Sequence, residues 1–254
     1  NEHFFEQKIV AYLTTPEGVA KSREVQEQLG PHLEKFRKAD ELSRLAEQLN
    51  GAQPELPSDS AQYQEWDRAK AASFWDKELL RQPLTDEQRK ALRYYSTSPG
   101  YQAMNEYLRF DSGSAKEKAR AQVENEHARS AMRPLTEPAL VTRYARESQF
   151  ADQGAVYQRK TDLAGLVGQT FKDNGFTSTS VKGGKITGQS VKLEIELPVG
   201  LPVAYLEKLT SHKGENEILL TDGVEFKVLQ SKYDEELKKV RMRVRVVNWP
   251  GKVS

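Results

Sequence analysis

The hydrophobic rhythm of the chain changes once. Through the first half, apolar residues return every three to four positions. Leu29, Leu33, Phe36, Leu42, Leu45 and Leu49 recur in this way among charged neighbours, which predicts a helix with one apolar stripe. The stretch "NGAQPELPSDS", 50–60, is rich in Gly, Pro and Ser and reads as a linker. A second helical stretch follows, "AQYQEWDRAKAASFWDKELL", with Tyr63, Trp66, Phe74 and Trp75 as its heavy apolar residues. "LTDEQRKALRYYSTSPGYQAMNEYLR" predicts two short helices. Thr85 opens the first, with Gln88 three residues on in a capping-box pattern. "SPG" at 98–100 separates them, and Tyr101, Met104 and Leu108 face one way on the second. Ser114 with Glu117 predicts the start of another helix, which runs to about Met132.

After "RPLTEP" the period becomes two. "VKLEIEL" alternates Val191, Leu193, Ile195 and Leu197 with charges, "VEFKVL" alternates Val224, Phe226 and Val228, and "VRMRVRVV" alternates Val240, Met242, Val244 and Val246 with arginines. Each predicts a half-buried strand. Helices first and strands later is the pattern of an α+β fold, unlike the alternation that builds a parallel sheet.

Composition narrows the chemistry. The 254 residues carry a net charge of +1, with 30% charged and 37% apolar positions, a soluble chain with no field strong enough to name a partner. Zero cysteines exclude disulfides, thiolate metal sites and cysteine nucleophiles. The histidines, at 3, 32, 127 and 212, show no metal-ligand spacing. The arginines of "VRMRVRVV" read as the wet face of a strand, so no nucleic acid is expected. The opening "NEHFFEQKIVAYL" has neither a basic region nor an initiator Met and reads as the cut edge of a longer protein.

Three groups of residues could carry chemistry. Glu215 and Glu217 stand two apart at the entry to the apolar run Ile218-Leu219-Leu220. On a strand they would share one face, and paired carboxylates beside a glycosidic bond can stabilise an oxocarbenium-like transition state and deprotonate a nucleophile. In "GFTSTSV", Ser178 and Ser180 share one face and Thr179 takes the other; inward hydroxyls need partners, and a carboxylate on a neighbouring strand would be one. Arg143, inside the apolar-flanked "ALVTRYAR", has the planar fork that clamps phosphate or carboxylate.

An arginine on the first strand, then "FTSTS", then "ENEILL", in that order, resembles the three-part signature of the mono-ADP-ribosyltransferase toxins. The likeness is to the Arg–STS–ExE branch, with the Rho-modifying exoenzymes and the actin-modifying binary toxins. It extends to the helix pair at 84–109 and to "VKLEIELPVGLPVAYL", covering about residues 60–248. The resemblance implies that the helices pack on two antiparallel β-sheets around a cleft for NAD, with no metal. Glu217 would hydrogen-bond the ribose 2′-hydroxyl of NAD and stabilise the oxocarbenium ion, and Glu215 would orient or deprotonate the acceptor. Arg143 would hold the NAD pyrophosphate. Ser178 would hold Glu217, with Thr179 and Ser180 shaping the nicotinamide pocket. Tyr95 and Tyr101, on the two short helices, would wrap the other side of NAD, and Asn105, on the helix of Tyr101, would bind NAD too, with Arg109 on the same helix. A glutamate at position 215, as opposed to a glutamine, implies an arginine acceptor on a target protein, with actin as first guess. His212 stands where relatives place an aromatic for target recognition. Lys182 and Lys185, in "VKGGKITGQSVK", depart from the aromatic and arginine that relatives often carry there.

The implied organisation is a helical extension or adaptor at 1–57 and a catalytic domain at 58–254. The protein would be a secreted or delivered toxin or effector whose N-terminal region docks to a membrane, a carrier or a larger toxin. The same motifs leave other readings open: transfer to nucleic acid, NAD hydrolysis, or a non-catalytic or phage structural module on this scaffold.

Overall fold

The change of period after "RPLTEP", 133–138, divides the fold as it divides the sequence. The computed structural model describes residues 15–21, 23–24, 54–146, 166–184, 190–210, 212–234, 236 and 239–253. The chain falls into two units, Asn1–Gln48 and Leu49–Ser254. In the first, residues 16–21 and 23–24 are helical; the leucine stripe predicted at 29–49 lies outside the described residues. In the second, the described residues form helices α1 (Arg68–Arg81), α2 (Asp86–Tyr95), α3 (Ser98–Phe110) and α4 (Ala115–Ala131). They are followed by strands β1 (Arg133–Pro134), β2 (Ala139–Ala145), β3 (Thr170–Asp173), β4 (Thr177–Ser180), β5 (Val191–Leu197), β6 (Pro202–Tyr205), β7 (Glu217–Leu220), β8 (Val224–Asp234) and β9 (Lys239–Asn248).

Helix starts follow the capping chemistry. Thr85 with Gln88, and Ser114 with Glu117, each form the reciprocal box, worth about 1 kcal/mol per cap. Thr97 caps α3 through Gly100. Gly100 itself is required there, because a Cβ would lie 1.8 Å from the carbonyl oxygen of Tyr94. α3 therefore starts hard against the end of α2.

The second helical stretch begins later than its periodicity predicts. Ser58–Gln62 is a short 3-10 turn, and α1 starts at Arg68 with Asp67 as its cap. Between them the main chain pairs elsewhere: Leu140 N–H donates to Gln64 (2.8 Å) and Lys182 N–H to Trp66 (2.8 Å). Tyr63 and Trp66 are buried by this extended segment and not by a helix. Within the predicted linker, the Pro54 carbonyl accepts from the Gln230 side chain at 2.6 Å.

The strands order as β1-β6-β7-β4-β2-β5-β9-β8-β3 in one nine-stranded sheet. Among the described residues its two halves meet at a single residue pair, Thr142 with Ser180, between β2 and β4. The expected two sheets are these halves, joined by hydrogen bonds. One pairing inside the larger half, β5 with β9, is parallel, so the sheet is mixed and not purely antiparallel.

That parallel pairing changes the reading of the arginine stripe. Register places Glu194 opposite Arg243 and Glu196 opposite Arg245. Fully buried Glu196 accepts from Arg243 (2.8 Å) and Arg245 (2.6 Å), while Arg241 reaches Glu194 at 2.9 Å. Arg245 also grips Asp59 with two bonds, at 2.8 and 2.9 Å. The predicted wet face is a charge ladder between neighbouring strands, invisible to alternation because its partners lie on another strand.

Candidate active site

β7 begins at Glu217 and runs antiparallel to β4, with Ser180 opposite Glu217 and Ser178 opposite Leu219. Opposed residues share a face, so Ser178, Ser180 and Glu217 project the same way. Ser178 sits diagonally to Glu217 across the β4–β7 ladder. Thr179, turned away, donates to the Ile218 carbonyl at 2.6 Å and fastens β4 to β7. Glu217 is only 5% exposed. Burial, reinforced by the charge of Glu215, pushes its carboxyl up to about 7, although Ser178 and Arg143 act the other way. This group changes charge near neutral pH.

Glu215 reaches the same place by a different geometry from the predicted one. It precedes the strand, on a turn, and Asn216 between the two glutamates has φ 49°, in the left-handed region that asparagine tolerates. The bend, and not a period of two, brings both carboxylates onto one cleft. That cleft holds about 320 Å³, near the lower end of the roughly 300–1,000 Å³ of small-molecule sites. Ser178, Glu215, Glu217 and exposed His212 form one wall; Tyr95, Thr97, Tyr101 and Gln102, from the α2–α3 junction, form the other.

Arg143, on β2, lies behind Ser178. Its Nη1 donates to the Ser178 carbonyl at 2.7 Å, and it lines a smaller cavity of about 30 Å³ with Thr179 and Ser180. Ser178 faces both spaces. Burial would raise the Tyr101 phenol, but the guanidinium groups of Arg143 and Arg109 beside it outweigh burial and hold it below the ordinary value. Tyr95 is buried at the cleft wall, and burial and then the nearby Glu217 raise its phenol well above normal.

Asn105 and Arg109 do not line the cleft. Asn105 accepts from the Phe176 N–H at 2.8 Å and donates to the Tyr95 hydroxyl at 3.3 Å. Arg109 forms a two-bond pair with Asp173, both at 2.9 Å, and Asp173 also accepts from Gly175 N–H and Thr177 hydroxyl. A Cβ on Gly175 would lie 2.6 Å from Asn105 Oδ1 and 2.7 Å from Arg109 Nε. The two helix residues thus clamp α3 to the turn that launches β4, fixing the distance between the cleft walls. Asp173→Ala strands a half-buried guanidinium and two donors; it is expected to cost about 3 kcal/mol, the low end for a broken buried pair, read by denaturant unfolding.

Sequence reasoning missed two residues that organise the site, Asp173 and Glu207. Glu207 is buried and accepts from the N–H groups of Gly214 and Asn216. Its one local signal is a carboxylate placed directly after the apolar run Val203–Leu206. Lys182 lines neither cavity and makes an exposed pairing with Glu65 at 3.7 Å, and Lys185 lies outside the described residues.

Comparison with known proteins places this geometry in context. The family model described as ADP-ribosyltransferase exoenzyme matches residues 63–247. A curated protein of Staphylococcus aureus, epidermal cell differentiation inhibitor, is 34% identical over 73 residues; the match spans 28% of this chain and 30% of that protein. Among solved structures, the C3 exoenzyme of Clostridium limosum superposes with a TM-score of 0.61 at 19% identity, covering 73% of this chain and 98% of the other. C3stau2 from S. aureus, solved with NAD, superposes with a TM-score of 0.61 at 17% identity, over 74% and 100% of the two chains. At these identities the structures establish a shared fold.

Proposed function

The chain belongs to the ADP-ribosyltransferase exoenzyme family, and we propose from that membership that it transfers ADP-ribose from NAD to an arginine side chain of a target protein. The observation that carries this reading is the convergence of Glu217, Glu215 and Ser178 on one cleft, with Arg143 bonded to the Ser178 carbonyl behind it. In the reaction, the bond between the ribose C1′ and the nicotinamide nitrogen breaks and its electron pair leaves with nicotinamide. The ring departs as a neutral base, so the step calls for no Lewis acid. Ionised Glu217 accepts from the ribose 2′-hydroxyl and stabilises the oxocarbenium ion, held in aim by Ser178. Glu215 grips the incoming guanidinium and takes its proton as the new C–N bond forms.

Arg143 binds the diphosphate of NAD, exchanging its bond to the Ser178 carbonyl for phosphate oxygens. Tyr95 and Tyr101 wrap the opposite side of the dinucleotide, Thr179 and Ser180 shape the small cavity, and Asn105 and Arg109 act through the placement of these groups. Exposed His212, at the rim beside Glu215, meets the target protein. A toxin or effector delivered into a target cell is the setting this reading supports, with actin as the first target to test and the N-terminal unit docking to a membrane, carrier or larger toxin.

Incubation with adenine-labelled NAD and a cell lysate tests the reading. The label is expected to be sensitive to protease, resistant to nuclease, and located by mass spectrometry on arginine. Label released by nuclease, or recovered only as free ADP-ribose, would replace arginine transfer with nucleic-acid modification or with NAD hydrolysis.

A further inference from the structure

Glu217 and Glu215 are held by different means. Glu217 belongs to β7, where the ladder with β4 and a bond from Leu206 N–H to its carbonyl (3.0 Å) fix it. Glu215 lies outside any strand. Its neighbours on both sides, Gly214 and Asn216, have φ of 92° and 49°, and their N–H groups point at one acceptor. Oε1 of Glu207 accepts from Gly214 at 2.8 Å and Oε2 accepts from Asn216 at 3.0 Å. The ammonium of Lys213 bonds the Glu207 carbonyl and ties the same turn from its other side.

A carboxylate only 4% exposed is costly to bury unless its bonds do something for the fold or the site. This one spans the glutamate turn with both oxygens. We propose that Glu207 is a positioning residue that holds Glu215 over the cleft and thereby sets how ADP-ribose divides between a guanidinium acceptor and water. The proposal rests on the role given to Glu215 above. Its physical basis is that a two-acceptor carboxylate satisfies two backbone donors, whereas an amide offers one oxygen and turns its NH₂ against the second donor. The turn then relaxes, Glu215 moves, and Glu217 stays in its strand.

The test compares nicotinamide release without acceptor to ADP-ribose transfer onto agmatine, a small guanidino probe, in wild type, Glu207→Gln and Glu207→Asp. Glu207→Gln is expected to release nicotinamide at close to the wild-type rate. Its transfer should fall tenfold or more, toward the roughly 100-fold that a 1 Å misplacement costs, with the loss in the acceptor KM as well as in kcat. Glu207→Asp, charged but one methylene shorter, is expected to lie between. Amide hydrogen exchange gives a second reading without turnover: Gly214 and Asn216 should be protected in wild type and lose protection in both variants. A folded Glu207→Gln protein with an unchanged ratio of transfer to release overturns the proposal. If that variant does not fold, the aspartate variant and the wild-type exchange decide, and exchange at Gly214 and Asn216 as fast as at exposed amides likewise overturns it. A wild-type protein that releases no nicotinamide instead defeats the functional reading, while the exchange result still reports on the anchor.

Discussion

Glu217→Gln is expected to lower both nicotinamide release and transfer by about 100-fold or more, the scale of losing a main electrostatic stabiliser. Both reactions pass through the same cationic sugar, so both lose together. Glutamine keeps the shape and removes the charge, which separates loss of charge from loss of structure. The same change is expected to stabilise the fold. Burial raises the Glu217 carboxyl from an ordinary 4.5 to about 7. Between these values the folded protein holds a proton that the unfolded chain has released, so stability falls as pH rises through that window. A shift of that size amounts to about 3 kcal/mol, fully present as a penalty above pH 7. Chemical denaturation at several pH values should therefore show Glu217→Gln more stable than wild type at pH 8, with the advantage fading toward pH 4.5. Full NAD cleavage by this variant would remove Glu217 from the mechanism.

The second large effect concerns Glu215. Glu215→Gln is expected to retain NAD cleavage but to lose transfer to arginine by about 100-fold, because general-base assistance alone is worth roughly 10²–10⁴. An amide can touch a guanidinium yet cannot take its proton. Glu215 also raises the Glu217 carboxyl by its charge, so neutralising it should move the pH dependence of NAD cleavage to lower pH. Product analysis that separates free ADP-ribose from modified acceptor measures the first effect, and the rate profile measures the second. Equal loss of both reactions would contradict the division of labour between the two glutamates.

Much of this site was legible along the chain because its parts sit in local patterns. Ser178 and Ser180 alternate on a strand, Arg143 lies within an apolar strand, and Glu217 leads directly into Ile218-Leu219-Leu220. Glu215 reaches the cleft by a route other than the expected one: period two would place it beside Glu217 on a strand, whereas it precedes the strand and the left-handed Asn216 turns it there. Long-range partners were not legible. Nothing near Glu196 in sequence announces Arg243 and Arg245, which the parallel β5–β9 pairing delivers. Asp173 and Glu207 take backbone N–H groups as partners, and these leave no mark in side-chain composition. The early helix start failed for a related reason. Tyr63 and Trp66 have helical spacing, yet their segment satisfies its main chain on Leu140 and Lys182.

The central claim is that a buried Glu217 carboxylate, ionised, breaks the bond between ribose and nicotinamide. The most direct measurement is kcat/KM for nicotinamide release from NAD between pH 5 and 9, which reports the ionisation of the free enzyme. It should climb through a midpoint near the value of about 7 set for Glu217 by its burial and level off above it, and in Glu217→Gln it should lie about 100-fold lower with the inflection gone. A profile with no inflection across that range, or one the glutamine variant reproduces, would contradict the account.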